Sequence, residues 1–160
     1  MNEAEENARE GTAQDVLAGL AKAHRPRTLL VIGAAAVPPG MEEAALTRVS
    51  AAAAEDALAQ LGRFDFAVAS EVTEQLEAPA AAALLGRLKN LHTDRFLLLV
   101  DAPNACLDDE ALLALALRPL AAAENGRRAW LYDIDDYNPE RPWNSPEDWA
   151  NPQNFHRYRW

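Results

Sequence analysis

The chain has 160 residues, a formal net charge of −10 and one cysteine, Cys106. This length fits a single domain with a real core, the charge excludes a broad basic field for tracking nucleic acid, and one thiol excludes an intramolecular disulfide or a multi-thiolate zinc site. No apolar run reaches the roughly 18 residues of a membrane span, and the acidic opening MNEAEENAREGT has neither secretory nor transit character, so a cytoplasmic protein without membrane association is expected.

In chain order, residues 1–11 are expected to be a flexible start. Thr12 with Asp15 resembles a capping box, and Val16, Leu17 and Leu20 share one helical face, which predicts a helix over residues 12–24. His24-Arg25-Pro26 ends it, because proline disfavours the helical region for the residue before it. TLLVIG, 28–33, is an apolar run suited to a strand buried on both faces, the mark of a parallel sheet. Leu46 to Ser50 is a candidate strand, followed by an alanine-rich helix to Leu61, and FDFAVAS from Phe64 is a further strand. Pro79 suits a first helical turn, after which Leu84, Leu85, Leu88 and Leu91 form a stripe at helical spacing with Arg87 and Lys89 opposite. RFLLLVD, 95–101, returns to strand, and Asp108 or Asp109 can cap a helix through Leu112, Leu113 and Leu115. LRPLAA, Glu124-Asn125-Gly126 and RRAWLYDID predict a hairpin, since Asn-Gly accepts the positive φ angles of a tight turn; Pro119 suits its edge.

From residue 135 the composition changes to DDYNPERPWNSPEDWANPQNFHRYRW, without leucine, isoleucine or valine. Ser145-Pro146-Glu147-Asp148 and Asn151-Pro152 each have the form of a cap and first turn, so short helical turns joined by prolines are expected. All four tryptophans (Trp130, Trp143, Trp149, Trp160) and all three tyrosines (Tyr132, Tyr137, Tyr158) fall in the last 31 residues. Such side chains can clamp an irregular tail to a core or anchor a partner. The expected organisation is therefore 1–11 flexible, 12–134 an α/β domain, and 135–160 a Pro/Trp-rich tail packed on it.

The order helix, strand with a glycine-ended turn, helix, FDFAVASEVTEQL, long helix, RFLLLVDAPN, helix and hairpin resembles the class I S-adenosylmethionine-dependent methyltransferases over roughly residues 12–134. FDFAVASEVTEQLEAPAAAALLGRLKNL is similar to that family's fourth strand and following helix, and the tail resembles that of a small uncharacterised bacterial family with the same core. The resemblance implies a reduced Rossmann-like fold: a mostly parallel sheet with a C-terminal antiparallel hairpin and an irregular aromatic tail. Gly33 matches the first glycine of the cofactor turn, where close backbone approach requires the absence of a side chain. Only Gly33 matches by resemblance; the backbone beside it at Ala34 and Ala35, with Ser70 and Glu71 at the carboxyl edge of the FDFAVAS strand, where open α/β sheets place ligands, completes the candidate positions for S-adenosylmethionine. The chain departs from the pattern at Val31, where the family places an acid, and at Ala35 and Val37, where it places glycines. Only 30 residues separate Gly33 from Phe64, so one strand-helix unit is expected to be lost or shortened. Glu42 and Glu43 are the nearest acids for the ribose hydroxyls and also read as surface acids opening a short helix. Glu55 and Asp56 resemble part of the next acidic loop, with Ala53 where an adenine-contacting aspartate often stands.

Glu71, at a strand end on the carboxyl edge, is the candidate general base or substrate contact; its plain alternative is a solvated strand-end acid. Cys106 would need a base beside it to act as a nucleophile, and His24, His92 and His156 lie far apart in sequence. Asp133, Asp135 and Asp136 could hold a hard cation, yet strand alternation sends Asp136 away from the other two, and no metal is expected. Arg157 and Arg159 beside Tyr158 and Trp160 are a weak nucleic-acid pattern. The expectation is a methyltransferase-like, non-catalytic protein that binds a protein or small ligand. The alternative is an active S-adenosylmethionine-dependent methyltransferase with a rearranged pocket.

Overall fold

Three apolar segments lie side by side in the computed structural model, which describes residues 13–120, 127–137 and 151–157. They are β1 (Thr28–Ile32), β3 (Phe66–Ala69) and β4 (Arg95–Val100), all parallel. β2 (Ala45–Val49) adds a parallel outer strand on β1, while β6 (Arg128–Asp133) and β5 (Arg118–Pro119) add an antiparallel pair beyond β4. The six-stranded order is β2-β1-β3-β4-β6-β5, a mixed α/β sheet of the reduced Rossmann-like kind expected. Pro119 sits on the outermost strand, where a missing N–H breaks no ladder. The Asn125-Gly126 turn, the Thr12 cap and the Ser145 to Asp148 turn lie outside the described residues.

Strand alternation divides the core into two layers. Leu30, Ile32, Ala67, Ala69, Phe96, Leu98 and Trp130 face one side, where α2 (Ala54–Leu58), α4 (Ala78–Arg87) and α5 (Asp109–Ala114) supply Leu58, Leu84, Leu85 and Leu112. Leu29, Val31, Phe66, Val68, Leu97 and Leu131 face the other, with Leu17 and Ala21 of α1 (Ala13–His24). Each fully buried leucine or isoleucine contributes about 1.5–3 kcal/mol over leaving it exposed. Trp130 and Tyr132, at 1% and 4% exposure, are core residues of the sheet rather than tail anchors.

Between β1 and β3 stand one strand, β2, and the five-residue α2, so one strand-helix unit is absent. Residues 33–44 cross from β1 to β2 without a helix. Glu42 and Glu43 therefore open no helix; they are exposed on a turn. The helix expected to run to Leu61 ends at Leu58.

The leucine stripe after Pro79 breaks at its last member. α4 passes into one turn of π-helix, Leu88–His92, closed by Thr93 N–H donating to Leu88 O at 3.0 Å. The wider turn rotates Leu91 out to 56% exposure and carries His92 inside at 4%. Asp108 caps α5 as expected, its Oδ1 accepting from Ala111 N–H at 2.9 Å. Asn151-Pro152 does open a helical segment, a 3₁₀ turn over Pro152–Arg157.

Candidate functional site

The carboxyl edge of β1 and β3 brings the expected cofactor positions together. Ile32 pairs with Ala69, so Gly33 meets Ser70 as both strands end. Gly33 has φ +83°, and a Cβ there would lie 2.5 Å from both Ser70 O and Ser70 Oγ and 2.8 Å from Glu71 Oε2. Glycine is thus required by this chain's own Ser70 backbone and by the side chains of Ser70 and Glu71. Ser70 is buried; its Oγ donates to Ile32 O at 3.1 Å and accepts from Ala35 N–H at 3.2 Å. Glu71 Oε2 accepts from Ala34 N–H at 3.1 Å.

Arg48 closes the other side of the turn, and sequence reasoning missed it. Its guanidinium donates to Ala35 O at 2.9 Å and Gly33 O at 3.3 Å. The available signal was a lone charge inside a short strand, paired in register with Val31. Val31 and Ala35 are buried in the second layer, and Val37 packs against it. Glu55 and Asp56 are exposed on α2.

Glu71 holds φ +64° at the entry to α3 (Val72–Gln75), a left-handed conformation rare for a residue with a side chain. Among the described residues no second titratable side chain hydrogen-bonds to its carboxylate, so no acid–base pair is assembled around it. Cys106 is half-buried and its N–H donates to Thr73 O at 2.8 Å. Burial pushes its thiol up, against the pull of its backbone hydrogen bond, and the Glu74 carboxylate pushes it up further. Glu74 is fixed by Asp101 N–H at 2.6 Å and Thr73 Oγ1 at 2.9 Å. His92 precedes β4 and bonds to Gly62 O through Nδ1 at 2.9 Å, while Cys106 follows β4; a six-residue strand, about 20 Å, separates them. His24 also lies at the amino edge. Neither histidine activates this thiol.

The acidic run 133–136 is used in ion pairs. Arg95 Nε lies 3.1 Å from Asp133, and its guanidinium also meets Asp135; Arg118 holds Asp136 at 2.6 Å. No group of three or more His, Cys, Asp or Glu is placed to hold a metal among the described residues. Farther along the carboxyl edge, a cleft of about 450 Å³ opens beside Val100, Leu107, Arg128 and Trp130. Arg128 stacks 5.3 Å above the Trp130 ring and is clamped by both Asp109 oxygens at 2.9 Å, while Trp130 Nε1 is buried without a hydrogen-bond partner among the described residues. Among the described residues no helix is long and apolar enough to cross a membrane.

The chain belongs to the family of unknown function DUF6231, whose profile matches residues 11–160. No curated protein matches it. Among solved structures it is similar to the Synechocystis PCC 6803 magnesium protoporphyrin IX methyltransferase (ChlM) with bound SAM: TM-score 0.51, 16% identity, 73% of this chain and 75% of that one. It is also similar to the N-terminal domain of EvdMO1, crystallised in the presence of SAH and D-fucose: TM-score 0.49, 13% identity, 75% of this chain and 82% of that one. At such identities the likeness to ChlM establishes a methyltransferase-like fold and nothing about activity.

Proposed function

We propose that the chain is a non-catalytic, methyltransferase-like domain, spanning residues 12–134, that acts by binding a protein or a small ligand, with residues 135–160 packed on it. The closed Gly33 turn supports this reading. The N–H groups of Ala34 and Ala35 donate to Glu71 and Ser70, Arg48 takes the carbonyls of Gly33 and Ala35, and the space a glycine leaves is filled from within. Donors already satisfied by their own chain give a cofactor little to gain.

One observation favours the alternative, an active S-adenosylmethionine-dependent methyltransferase. Glu71 stands at a parallel strand's carboxyl end with φ +64°, and backbone strain at such a place is often tied to ligand contact. Thermal-shift and calorimetric titrations with S-adenosylmethionine and its demethylated product separate the two. Ligand at about 100 times its dissociation constant stabilises a fold by roughly 2.7 kcal/mol. A flat response at millimolar ligand is expected and would sink the enzyme reading in its simple form; saturable stabilisation that disappears in Glu71→Ala would support that reading. Deleting residues 139–160 is expected to abolish partner capture while leaving a folded core; an unfolded core would make the tail structural.

A further inference from the structure

The amino edge of the same sheet carries a second concavity, independent of the Gly33 turn. The segments entering β1, β3 and β4 converge on a groove of about 470 Å³ lined by Arg25, Arg27, Arg63 and Arg95 against Asp65 and Asp94. Four arginines and two aspartates thus line one groove in a chain of net charge −10. Both carboxylates are engaged. Asp65 Oδ2 accepts from the N–H groups of Arg27 at 2.8 Å and Thr28 at 3.1 Å, and Asp94 holds Arg63 at 2.6 Å. Arg95 is taken by Asp133 and Asp135. The guanidinium groups of Arg25 and Arg27 have neither hydrogen-bond nor ion-pair partners among the described residues.

Their backbones, by contrast, are fixed. Asp65 N–H donates to Thr28 Oγ1 at 2.9 Å, which completes a reciprocal lock on the start of β1 beside Arg27. Arg25 has φ +44°, and its N–H donates to Ala21 O at 2.9 Å. That is the residue after a helix C-terminus, where glycine or asparagine is usual. An arginine here stands against local backbone preference, and Pro26 then fixes the next φ.

We propose that this groove binds the phosphate group of a small, soluble molecule through Arg25 and Arg27. Guanidinium forks match phosphate oxygens bidentately, and two unpaired forks flanking one rigid proline suit a dianion. A groove of about 470 Å³ has the size of a small-molecule site, which makes a small ligand the occupant.

The test is calorimetric titration of the full chain with inorganic phosphate and pyrophosphate at constant ionic strength, with acetate as the carboxylate control, alongside melting curves. Saturable binding is expected, weakened about tenfold or more by Arg27→Ala and by Arg25→Gly, as loss of a charge-assisted contact would do. Arg25→Gly is also expected to raise the melting temperature, because glycine accepts the left-handed backbone; this separates loss of binding from loss of fold. Arg118→Ala, outside the groove, should leave affinity unchanged. Absence of saturable binding, an equal response to acetate, or unchanged phosphate affinity in Arg25→Gly would overturn the proposal. The last result together with a lower melting temperature would assign Arg25 to stabilising the helix C-terminus.

Discussion

The two edges of the parallel sheet differ in what satisfies their polar groups. At the carboxyl edge, Ser70, Glu71 and Arg48 supply partners for both the N–H groups and the carbonyls of the Gly33 turn. At the amino edge, Asp65 and Asp94 are engaged while the guanidinium groups of Arg25 and Arg27 have no partner among the described residues. Open α/β sheets ordinarily take ligands at the carboxyl ends of their strands. A polar group paired within the chain offers a ligand only an exchange for that partner, whereas the exposed guanidinium groups of Arg25 and Arg27 have only water to give up. The contrast teaches that fold convention marks a place for a site, and local satisfaction of donors decides whether that place is open.

The strongest way to break this contrast is Gly33→Val. Its Cβ would fall 2.5 Å from a carbonyl oxygen of the neighbouring strand, at φ +83°, where a β-branched residue is strained whatever the space. The atoms it meets belong to backbone and to buried Ser70, so the strand ends must part. We expect a loss of about 3–5 kcal/mol in urea denaturation. A loss under about 1 kcal/mol would mean that the turn is loose and the carboxyl edge open. Next in size is Asp65→Ala, which removes the acceptor of two backbone N–H groups at the amino edge. About 1–2 kcal/mol should be lost, and less in Asp65→Asn, which keeps an oxygen acceptor. An undiminished midpoint in Asp65→Ala would show that the start of β1 needs no such lock.

Much of this architecture was legible because strands buried on both faces must be apolar runs, as TLLVI, FAVA and RFLLLV are. The missing strand-helix unit followed from chain length between Gly33 and Phe64. What periodicity could not foresee was a change of period: Leu91 continues the stripe in sequence and leaves it in space, because the π turn at Leu88–His92 puts His92 in its place. The site was legible in part. Gly33, Ser70 and Glu71 do meet, but the resemblance assigned Gly33 to a ligand, and the collision that requires glycine comes from Ser70 and Glu71. Arg48 was missed because its role depends on a crossover, residues 33–44, that has no regular pattern to read. The amino-edge groove was invisible for a related reason: Arg25, Arg63 and Arg95 lie far apart in sequence and are joined only by strand order.

Glu71→Ala sharpens the comparison with a smaller effect. It frees the exposed Ala34 N–H, which water can satisfy, so the cost should be about 1 kcal/mol or less. Amide exchange at Ala34 should accelerate while Ala35, held by Ser70, keeps its protection. Equal acceleration at both amides would show that Glu71, rather than the Gly33–Ser70 contact, closes the turn.

The smallest expected effect lies farther along the carboxyl edge, at Cys106. Only the thiolate reacts with an alkylating agent. Burial and the Glu74 carboxylate both hold the proton on sulfur, against one backbone hydrogen bond that favours its release. Raising the thiol in this way keeps the neutral form to higher pH. Iodoacetamide labelling at neutral pH should therefore be slower than that of a free cysteine peptide and should rise only above the usual thiol range. Glu74→Gln removes the negative charge and keeps an oxygen to accept from Asp101 N–H. Its labelling profile should move modestly to lower pH, since burial is the larger cause and remains. Labelling faster than the free peptide in the wild-type chain would reveal a base beside the sulfur and make this edge chemically active.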